Sequence, residues 1–517
     1  MNLPFIQDPF NTVGNSPSNN TTITTTPGTI ITTPGTISTN TDNIDDVIPP
    51  ALRTINVTSI ASLMGAVAAA VPGDHIVLAD GSYDTTEWLE SNSAETLLIS
   101  AKGTEQAPIV ITAMSLGSTE IKGPAGFRVS DASHLIIQGF KFTHSQDNSG
   151  SSDDMAIQCE NCKNVRFTRN YFSLTTTTNV QSDWLGITSM ESTNNRIDHN
   201  TFANKATNGV FVLILGSNDD VSRHNRIDHN YFHNQLNPVG NGGECLRIGN
   251  SVLALENAYA AVEYNLFEKC NGDMESVTVK SSSNLIRSNT FRDNHGSLTL
   301  RHGNNNTVEG NFFLYGENGI RIYGHDHKII NNYFEGNYGA DSLSTLVVGS
   351  GTVVEDLAYS NDEHSQPQNI VVAYNTFVKN KSNIVIGENS RPLHPLKTTV
   401  SSNIILGDFG ALVDYKGGQD DVWEDNILWG LADEGSIPST GYTSTDPVLE
   451  LDSDGVYRPM NISPAIDKAG PDAFPYVTKD IDGQSRLGMK DTGADEFSTE
   501  PLVVHPLLPS DVGPNSK

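Results

Sequence analysis

Two acidic residues and two further oxygen donors lie in short, polar segments of the chain. Asp273 and Glu275 are two residues apart, so on a β-strand they would share one face. Carboxylates side by side repel each other unless a cation joins them. Asn241 and Glu244, from an earlier segment, would complete an all-oxygen set of the kind that Ca²⁺ prefers. The spacing therefore predicts a calcium site, with a solvated acidic patch as the alternative.

Three basic residues follow at a nearly constant spacing. Lys280 and Arg301 are 21 residues apart, and Arg301 and Arg321 are 20 apart. If one coil of a repeating fold has this length, we expect the three to stack as a basic ladder facing an anion; three solvated cations are the alternative. Lys280 is five residues after Glu275, which places the two on opposite faces of an unbroken strand. The chain must therefore bend between them.

Carboxylates and a metal ion beside a Lys–Arg pair suit the removal of a proton next to a carboxylate. In a uronic acid, the C5 proton becomes more acidic when a cation neutralises the neighbouring carboxylate. Lysine serves as the base only if burial and a neighbouring cation depress its pKa. Arginine can stabilise the leaving oxygen, or donate a proton to it in a dry site. Such a site would carry out β-elimination on a 4-linked acidic polysaccharide.

The elements that position these residues come from an internal repeat. A short apolar strand is followed by Asn, any residue, and often Phe. The shortest Asn-to-Asn steps set a period of 21–24 residues, and the longer steps are interpreted as coils that carry a loop insertion. A period of this length, without intervening helices, favours stacked strands, so the sequence predicts an all-β, right-handed parallel β-helix. The repeated residues are Asn170, Asn200, Asn230, Asn265, Asn289, Asn311, Asn332, Asn375, Asn403 and Asn426.

The repeated Asn and Phe residues are interpreted as structural. Asn tolerates the left-handed backbone of a tight turn, and stacked Asn amides can hydrogen-bond along the axis. The Phe two residues later can fill the interior and stack on its neighbours. Asp198-His199 and Asp228-His229 could suggest acid–base pairs, but both occupy the repeated turn position. We interpret these pairs as structural too.

A short amphipathic helix is predicted in front of the first strand, where it would cap one end of the solenoid. Ser59 suits its N-cap. The apolar residues that follow have helical spacing, at Ile60, Leu63, Met64, Val67 and Val71.

Composition divides the rest of the chain. Residues 1–50 include a Thr-, Pro- and Asn-rich stretch that cannot bury a core, and we expect a disordered linker there. Residues 51–500 are expected to form a single β-helix domain with a C-terminal closing segment, and residues 501–517 a tail. Within that segment, 452–455 (Asp-Ser-Asp-Gly) lacks the full pattern of a calcium loop and is interpreted as a turn.

The four cysteines are interpreted as structural. Cys159 and Cys162 have a spacing found in zinc and redox motifs, but a zinc site would need a second such pair, which the sequence lacks. Cys245 and Cys270 could face each other on adjacent coils. We therefore expect buried or disulfide-bonded cysteines.

The chain is strongly acidic. Lys and Arg number 31 against 61 Asp and Glu, which gives a net charge of -30. This argues against a nucleic-acid-binding protein, which needs a basic surface to displace phosphate counterions. No apolar run is long enough for a membrane span. An anionic substrate would need the local basic cluster described above.

Three segments resemble the core of polysaccharide lyase family 6, which contains alginate lyases and chondroitinase B. They read Asn-Gly-Gly-Glu, Glu-x-x-x-x-Lys and Leu-Arg-His-Gly, in that order, and the resemblance covers residues 53–497. It implies that Lys280 is the Brønsted base and Arg301 the Brønsted acid. From its length, we expect this chain to lack the second β-helix domain that some relatives carry.

The same resemblance implies ligand and substrate residues. The calcium ligands would be Asn241, Glu244, Asp273 and Glu275. The substrate groove would include Arg247, His302, Arg321 and Tyr323. The first acid of the calcium pair is usually Glu in this family, whereas Asp273 is one methylene shorter. Without calcium, Arg or Lys side chains would have to neutralise the substrate carboxylate.

The function predicted first is an alginate lyase that cleaves guluronate-containing blocks to unsaturated oligosaccharides. The alternatives are a chondroitinase B-like lyase of dermatan sulfate, a non-catalytic glycan-binding β-helix, and a hydrolase on the same scaffold. We expect an acidic polysaccharide as the partner, no nucleic acid, no membrane span, and a monomer. The expected location is secreted, periplasmic or at the cell surface, although no signal peptide is present in this sequence.

Overall fold

Three long parallel sheets dominate the chain, so the predicted all-β, parallel β-helix fold is confirmed. The computed structural model describes residues 47–517, except for 144, 147–154, 177–181, 218–219, 238–239, 341–342, 356–362 and 471–473. The helices of this described part are the α-helices Ile60–Ala68 and Thr86–Asn92 and the 3₁₀ turns Ser251–Leu253 and Ser439–Gly441.

The strands are grouped by the sheet to which they belong. Sheet 1 contains Arg53–Val57, Asp74–Leu78, Ile109–Ala113, Ser133–Gln138, Lys163–Thr168, Arg196–Asp198, Arg226–Asp228, Ala261–Glu263, Leu285–Arg287, Thr307–Glu309, Lys328–Ile330, Val371–Ala373, Thr399–Ser401 and Val422–Glu424. Sheet 2 contains Gly81–Asp84, Thr119–Lys122, Phe140–Phe142, Tyr171–Phe172, Thr201–Lys205, Tyr231–Gln235, Leu266–Cys270, Thr290–Arg292, Phe312–Leu314, Tyr333–Glu335, Thr376–Val378, Ile404–Leu406, Asn426–Trp429 and Tyr442–Ser444. Sheet 3 contains Leu97–Ile99, Phe127–Ser130, Ile157–Glu160, Leu185–Ile187, Val212–Ile214, Leu246–Gly249, Glu275–Lys280, Ser297–His302, Ile320–Ile322, Leu346–Val348, Ile384–Ile386, Ala411–Tyr415 and Asp433–Gly435. Two small sheets pair Ser145–Gln146 with Thr175–Thr176 and Leu449–Leu451 with Tyr457–Pro459.

Each coil passes through sheet 1, then sheet 2, then sheet 3, and each strand pairs with its equivalent one coil later. Inward-facing apolar side chains from all three sheets form one continuous core. No coil could bury that apolar face alone, because its interior is closed only by the coils above and below it.

The repeated Asn residues form the predicted hydrogen-bonded ladder. Each Nδ2 donates to the Oδ1 of the next Asn over 2.9–3.1 Å, from Asn170 to Asn426. The Phe rings two residues later stack with centroids 4.5–5.1 Å apart, from Phe142 to Phe377. The structural interpretation of both residues is confirmed.

The left-handed turn residue is not the one that the sequence suggested. Positive φ occurs one position before the ladder Asn, for example at His199 (52°) and His229 (53°). The ladder Asn is therefore needed for its amide, which bonds the next coil, and not for tolerance of a left-handed backbone.

The capping helix is confirmed, but its place in the chain differs from the prediction. It spans Ile60–Ala68 and begins at Ser59, whose side chain forms a capping box with Ser62. Its buried residues join the common core. However, the first strand, Arg53–Val57, precedes the helix and does not follow it. The strand was missed because only its last residue is buried, which hides its period-two pattern.

The Asp-His pairs lie on sheet 1 in an ionic ladder. Arg166 bonds Asp198 on the next coil over 2.7 Å, and Arg196 bonds Asp228 over the same distance. Asp198 also contacts His199 Nδ1 at 2.8 Å. Both carboxylates are fully buried, so this ladder stabilises the stack.

All four cysteines form buried disulfides. Cys159 is bonded to Cys162, and Cys245 is bonded to Cys270 with a Cα–Cα distance of 6.2 Å. The structural interpretation of the cysteines is therefore confirmed. Cys245 and Cys270 face each other from adjacent coils, as the sequence suggested.

The C-terminal residues pack against the outside of the β-helix. The predicted turn at 452–455 connects the antiparallel pair of strands. Beyond it, Leu507 N–H donates to Thr290 on sheet 2, and Arg169 donates to the carbonyls of Pro514 and Ser516. Residues 49–517 form one compact unit. The linker predicted at 1–50 lies outside the described residues, except for its last four. No helix in the described part is long and apolar enough to cross a membrane.

Candidate active site

Four neighbouring strands of sheet 3 carry most of the predicted site residues. They are Leu246–Gly249, Glu275–Lys280, Ser297–His302 and Ile320–Ile322. Their alternate apolar residues point into the core, so the charged residues between them lie on the outer face. The outer face of these four coils is therefore the candidate active site.

A bulge at Ser276 brings the acidic and basic residues of one strand to the same face. The register with the next strand shifts between Glu275 and Val277, which makes Ser276 an extra residue. Glu275 and Thr278 consequently share the outer face, and the Thr278 hydroxyl donates to Glu275 Oε2 over 2.6 Å. Lys280 lies two residues beyond Thr278 and faces the same way. The bend that the sequence required is this bulge.

The predicted basic ladder is wrong. Lys280 lies opposite His302, because Arg301 is the extra residue at a second register shift. Arg321 lies opposite Thr299, two positions away from Arg301, the expected partner. The bulges add residues without lengthening the strand, so equal spacing in sequence does not give equal register. Arg301 is still near Lys280, whose pKa its charge affects.

Lys280 is surrounded by charged side chains. Burial lowers the pKa of the Lys280 ammonium, and the positive charges of Arg247 and Arg301 lower that pKa further. Glu275 and Glu244 raise the pKa, but they do not cancel the lowering. This is the direction that a lysine needs in order to act as a base near neutral pH.

Arg301 is held by the main chain of a loop. Its Nη1 donates to the carbonyl oxygen of Glu363 over 2.6 Å. His302, the next residue, is only 2% exposed and lies in the floor of the site. The anchored guanidinium therefore has a defined position beside Lys280.

Glu244 is paired with Arg247 in a two-pronged ion pair. Arg247 Nη2 lies 2.6 Å from Glu244 Oε2, and Nε lies 3.0 Å from Oε1. Thr278 Oγ1 lies 3.4 Å from Glu244 Oε1, so one hydroxyl lies between two carboxylates. The pairing neutralises Glu244 and places the Arg247 cation close to Lys280.

Asp273 is buried in a turn and bonded by backbone amides. Its Oδ2 accepts from Gly242 N–H and, over 3.4 Å, from Gly243 N–H. Burial, together with the negative charges of Glu244 and Glu275, raises the pKa of Asp273 to about 6. Three carboxylates are thus near enough to repel each other, as the sequence predicted.

The predicted calcium ligands do not converge into a cage. Both oxygens of Glu244 bond Arg247, the Asp273 carboxylate accepts backbone N–H groups, and Asn241 is exposed. In the described part of the chain, three acidic side chains with ligand atoms within 4.8 Å of one another occur in the C-terminal segment and not here. In this arrangement the donor set fits a guanidinium and does not fit a calcium ion.

A cluster beyond Arg301 contains two predicted residues and two that the sequence did not reveal. Arg321 Nη2 donates to the Tyr323 hydroxyl over 3.0 Å, and that hydroxyl donates to Glu388 Oε2 over 3.2 Å. Arg391 Nη1 bonds Glu388 over 2.5 Å and lies 3.3 Å from the Tyr323 hydroxyl. Both guanidiniums lie over the Tyr323 ring, at 5.7 and 5.4 Å. The result is a dense positive patch around a fully buried tyrosine.

His364 connects this patch to the loop that holds Arg301. Its Nε2 lies 3.2 Å from Arg391 Nη2, and its ring packs edge-on against Tyr323 at 4.4 Å. Glu363, which accepts from Arg301, directly precedes His364, which contacts Arg391. Two consecutive residues of one loop therefore position the guanidiniums of Arg301 and Arg391. Residues such as Glu388, Arg391 and His364 lie in loops outside the repeat, so no spacing in the sequence marks them.

Comparison with known proteins places these features in a family. The family model for Chondroitinase B matches residues 57–434. The structure of the PL6 family alginate lyase AlyGC is 28% identical, with a TM-score of 0.67, and the match covers 78% of this chain and 55% of that chain. A mannuronic acid specific polysaccharide family 6 lyase from human gut microbiota is 24% identical, with a TM-score of 0.62 and coverage of 73% and 86%.

A further similar structure is the PL6 family polysaccharide lyase Pedsa3628 from Pseudopedobacter saltans. It is 22% identical, with a TM-score of 0.58, and the match covers 78% of this chain and 98% of that one. The two less similar structures support the fold alone. The match with AlyGC spans only 55% of that longer chain. Comparison with curated protein sequences finds no match.

A lysine with a lowered pKa, an arginine and buried carboxylates thus lie together on one outer face of this parallel β-helix. The matched region is most of the chain and includes every residue of the candidate site. This chain belongs to the chondroitinase B family, polysaccharide lyase family 6.

Proposed function

We propose that this protein is an alginate lyase that cleaves 4-linked uronate chains by β-elimination. The observation that carries the proposal is a lysine with a lowered pKa on the outer face of sheet 3, beside an arginine held by a backbone carbonyl. The similarity to AlyGC, a PL6 family alginate lyase, supports alginate as the polymer.

In the proposed reaction, neutral Lys280 removes the C5 proton of the uronate in the site. The electrons of the C5–H bond form the C4–C5 double bond, and the C4–O bond breaks. Arg301 donates a proton to the departing oxygen, which leaves as a hydroxyl on the fragment with the new reducing end, and solvent then returns a proton to Arg301. The other product carries a 4,5-unsaturated uronate at its non-reducing end.

Neutralisation of the substrate carboxylate is assigned to cationic side chains. Arg247 and Arg301 both lie close enough to Lys280 to lower its pKa, so a carboxylate placed beside the reacting carbon would meet positive charge. Arg321 and Arg391 supply further positive charge along the groove. Calcium remains a prediction from the sequence. No step of the proposed reaction depends on it, because its donor set does not converge here.

Guluronate-containing blocks are the proposed substrate. The second candidate is a dermatan sulfate lyase, which is favoured by the Chondroitinase B family match. A third candidate is a non-catalytic glycan-binding β-helix. This function would not require the lowered pKa of Lys280.

The location is proposed to be secreted, periplasmic or at the cell surface, with the protein acting as a monomer. Two buried disulfides support an oxidising compartment, since cytosolic thiols are kept reduced.

The test is an assay of four polymers: alginate, poly-guluronate, poly-mannuronate and dermatan sulfate. The proposal expects an ultraviolet-absorbing unsaturated uronate from alginate and its guluronate-containing blocks, and none from dermatan sulfate. Absorbance from dermatan sulfate alone would favour the second candidate, and binding without any chromophore would favour the third.

A further inference from the structure

The Cys245–Cys270 disulfide joins the two coils that carry most of the charged site. Cys245 immediately precedes strand Leu246–Gly249, and Cys270 ends strand Leu266–Cys270 on the next coil. Both residues are at most 1% exposed, so the bond lies in the interior, directly beneath the candidate site.

The bond lies at the bases of two turns that hold carboxylates. Glu244 directly precedes Cys245, and Asp273 is three residues after Cys270. Neither carboxylate belongs to a strand: the ladder between these coils begins at Leu246. Strand pairing alone therefore does not fix their positions.

The two turns touch backbone to backbone. A Cβ added to Gly243 would lie 2.5 Å from the Gly272 carbonyl oxygen, and one added to Gly272 would lie 2.7 Å from the Gly243 oxygen. Contacts this short leave no room for a side chain. The Gly242 and Gly243 amides then reach Asp273 on the other turn. A small separation of the coils would break this contact.

We propose that the Cys245–Cys270 disulfide is a positioning device for the active site. It holds the two glycine turns together, and so fixes Glu244, its partner Arg247 and Asp273 relative to Lys280. This inference rests on the proposed lyase function.

The chain offers a matched control. Cys159 and Cys162 form the other buried disulfide, within a single coil whose residues are not part of the site. The double variants Cys245→Ala/Cys270→Ala and Cys159→Ala/Cys162→Ala remove the same atoms and should both lower thermal stability. Only the first should change the site.

The experiment measures hydrogen exchange and steady-state kinetics on both double variants. We expect faster exchange of the peptides that span 240–245 and 271–275 in the first variant alone. We also expect its kcat to fall by about tenfold to a hundredfold with KM nearly unchanged, because the reacting groups and not substrate affinity are disturbed. If the first variant fails to fold, Cys245→Val/Cys270→Ala refills part of the core and repeats the test.

The outcomes separate the inference from the proposed function. Unchanged exchange in both turns, or a loss of kcat equal to that of the control pair, would overturn the positioning role. A wild-type protein without activity on any of the four polymers, together with faster exchange in the two turns, would reject the lyase function but not the role of the disulfide in holding the turns.

Discussion

Lys280 lies opposite His302 in the register of sheet 3, and Arg301 is the extra residue of the bulge between them. Arg301 still lowers the pKa of Lys280 from the next coil, although the two residues are not paired. A regular ladder would place the base directly against the acid. The bulge instead offsets them along the groove, which suits a base and an acid that act on neighbouring bonds of one sugar.

Arg247→Ala should move the rising limb of the pH–rate profile to higher pH. The base must be neutral, so the rate rises as pH passes through the pKa of Lys280. The Arg247 cation lowers that pKa, and its removal also exposes Lys280 to an unpaired Glu244, which raises it. The measurement is kcat/KM against pH. Arg247→Lys keeps the charge and should shift the limb less; a limb that stays in place in Arg247→Ala would contradict the assignment of Lys280 as the base.

Glu275→Gln should move the rising limb of the pH–rate profile to lower pH. The Glu275 carboxylate raises the pKa of Lys280, so its neutralisation lowers that pKa and moves the rising limb to lower pH. The same pH–rate profile checks this. Glu450→Gln, on an exposed hairpin strand, is the matched control and should leave the profile unchanged. A shift to higher pH in Glu275→Gln would show that the electrostatic account is wrong.

Arg301→Lys should lower kcat by about a hundredfold to a thousandfold, the range found when one donor to a developing oxyanion is removed. Lysine keeps the charge but cannot both donate to the Glu363 carbonyl and face the leaving oxygen with a planar fork. Initial rates on alginate give kcat and KM separately. Retention of full kcat would mean that charge alone, without the anchored geometry, accounts for the role of Arg301.

A chelator should leave the activity unchanged. Arg247 already neutralises Glu244, and the remaining oxygen donors do not converge on one point. The check is the initial rate after exhaustive dialysis against a chelator, with and without added Ca²⁺. Loss of activity that Ca²⁺ restores would contradict this prediction and favour the calcium requirement that the family resemblance implied.

Arg391→Ala should raise KM by several-fold and change kcat less. Arg391 contributes positive charge beyond the reacting pair and also supports Tyr323 through Glu388. Arg128→Ala, on a remote coil of the same sheet, removes an arginine paired with Glu160 and is the control. Equal effects of the two substitutions would show that Arg391 has no particular role in binding the substrate.

The repeat made the fold predictable, because equivalent positions of successive coils carry the same residue types. Asn and Phe mark the turn and the interior, and both ladders are present. The error of one position in the left-handed turn arose because Asn is the usual residue there, whereas here His, Tyr, Ser and others adopt that backbone just before it.

The site was predictable as a set of residue types but not as a geometry. Bulges at Ser276 and Arg301 leave no signature in spacing, so the inferred ladder of Lys280, Arg301 and Arg321 failed. The ion pair of Glu244 with Arg247 was also missed, since a ligand carboxylate and a paired carboxylate look the same in sequence.

The most direct test of the account measures unsaturated-uronate absorbance when alginate is incubated with the wild-type protein and with Lys280→Ala. The account predicts a steady rise in absorbance with wild type. In the variant it predicts a loss of at least about a hundredfold, with unchanged folding by circular dichroism, as expected when a general base is removed. Depolymerisation by the wild type without any chromophore, or a Lys280→Ala variant as fast as the wild type, would contradict β-elimination at this site.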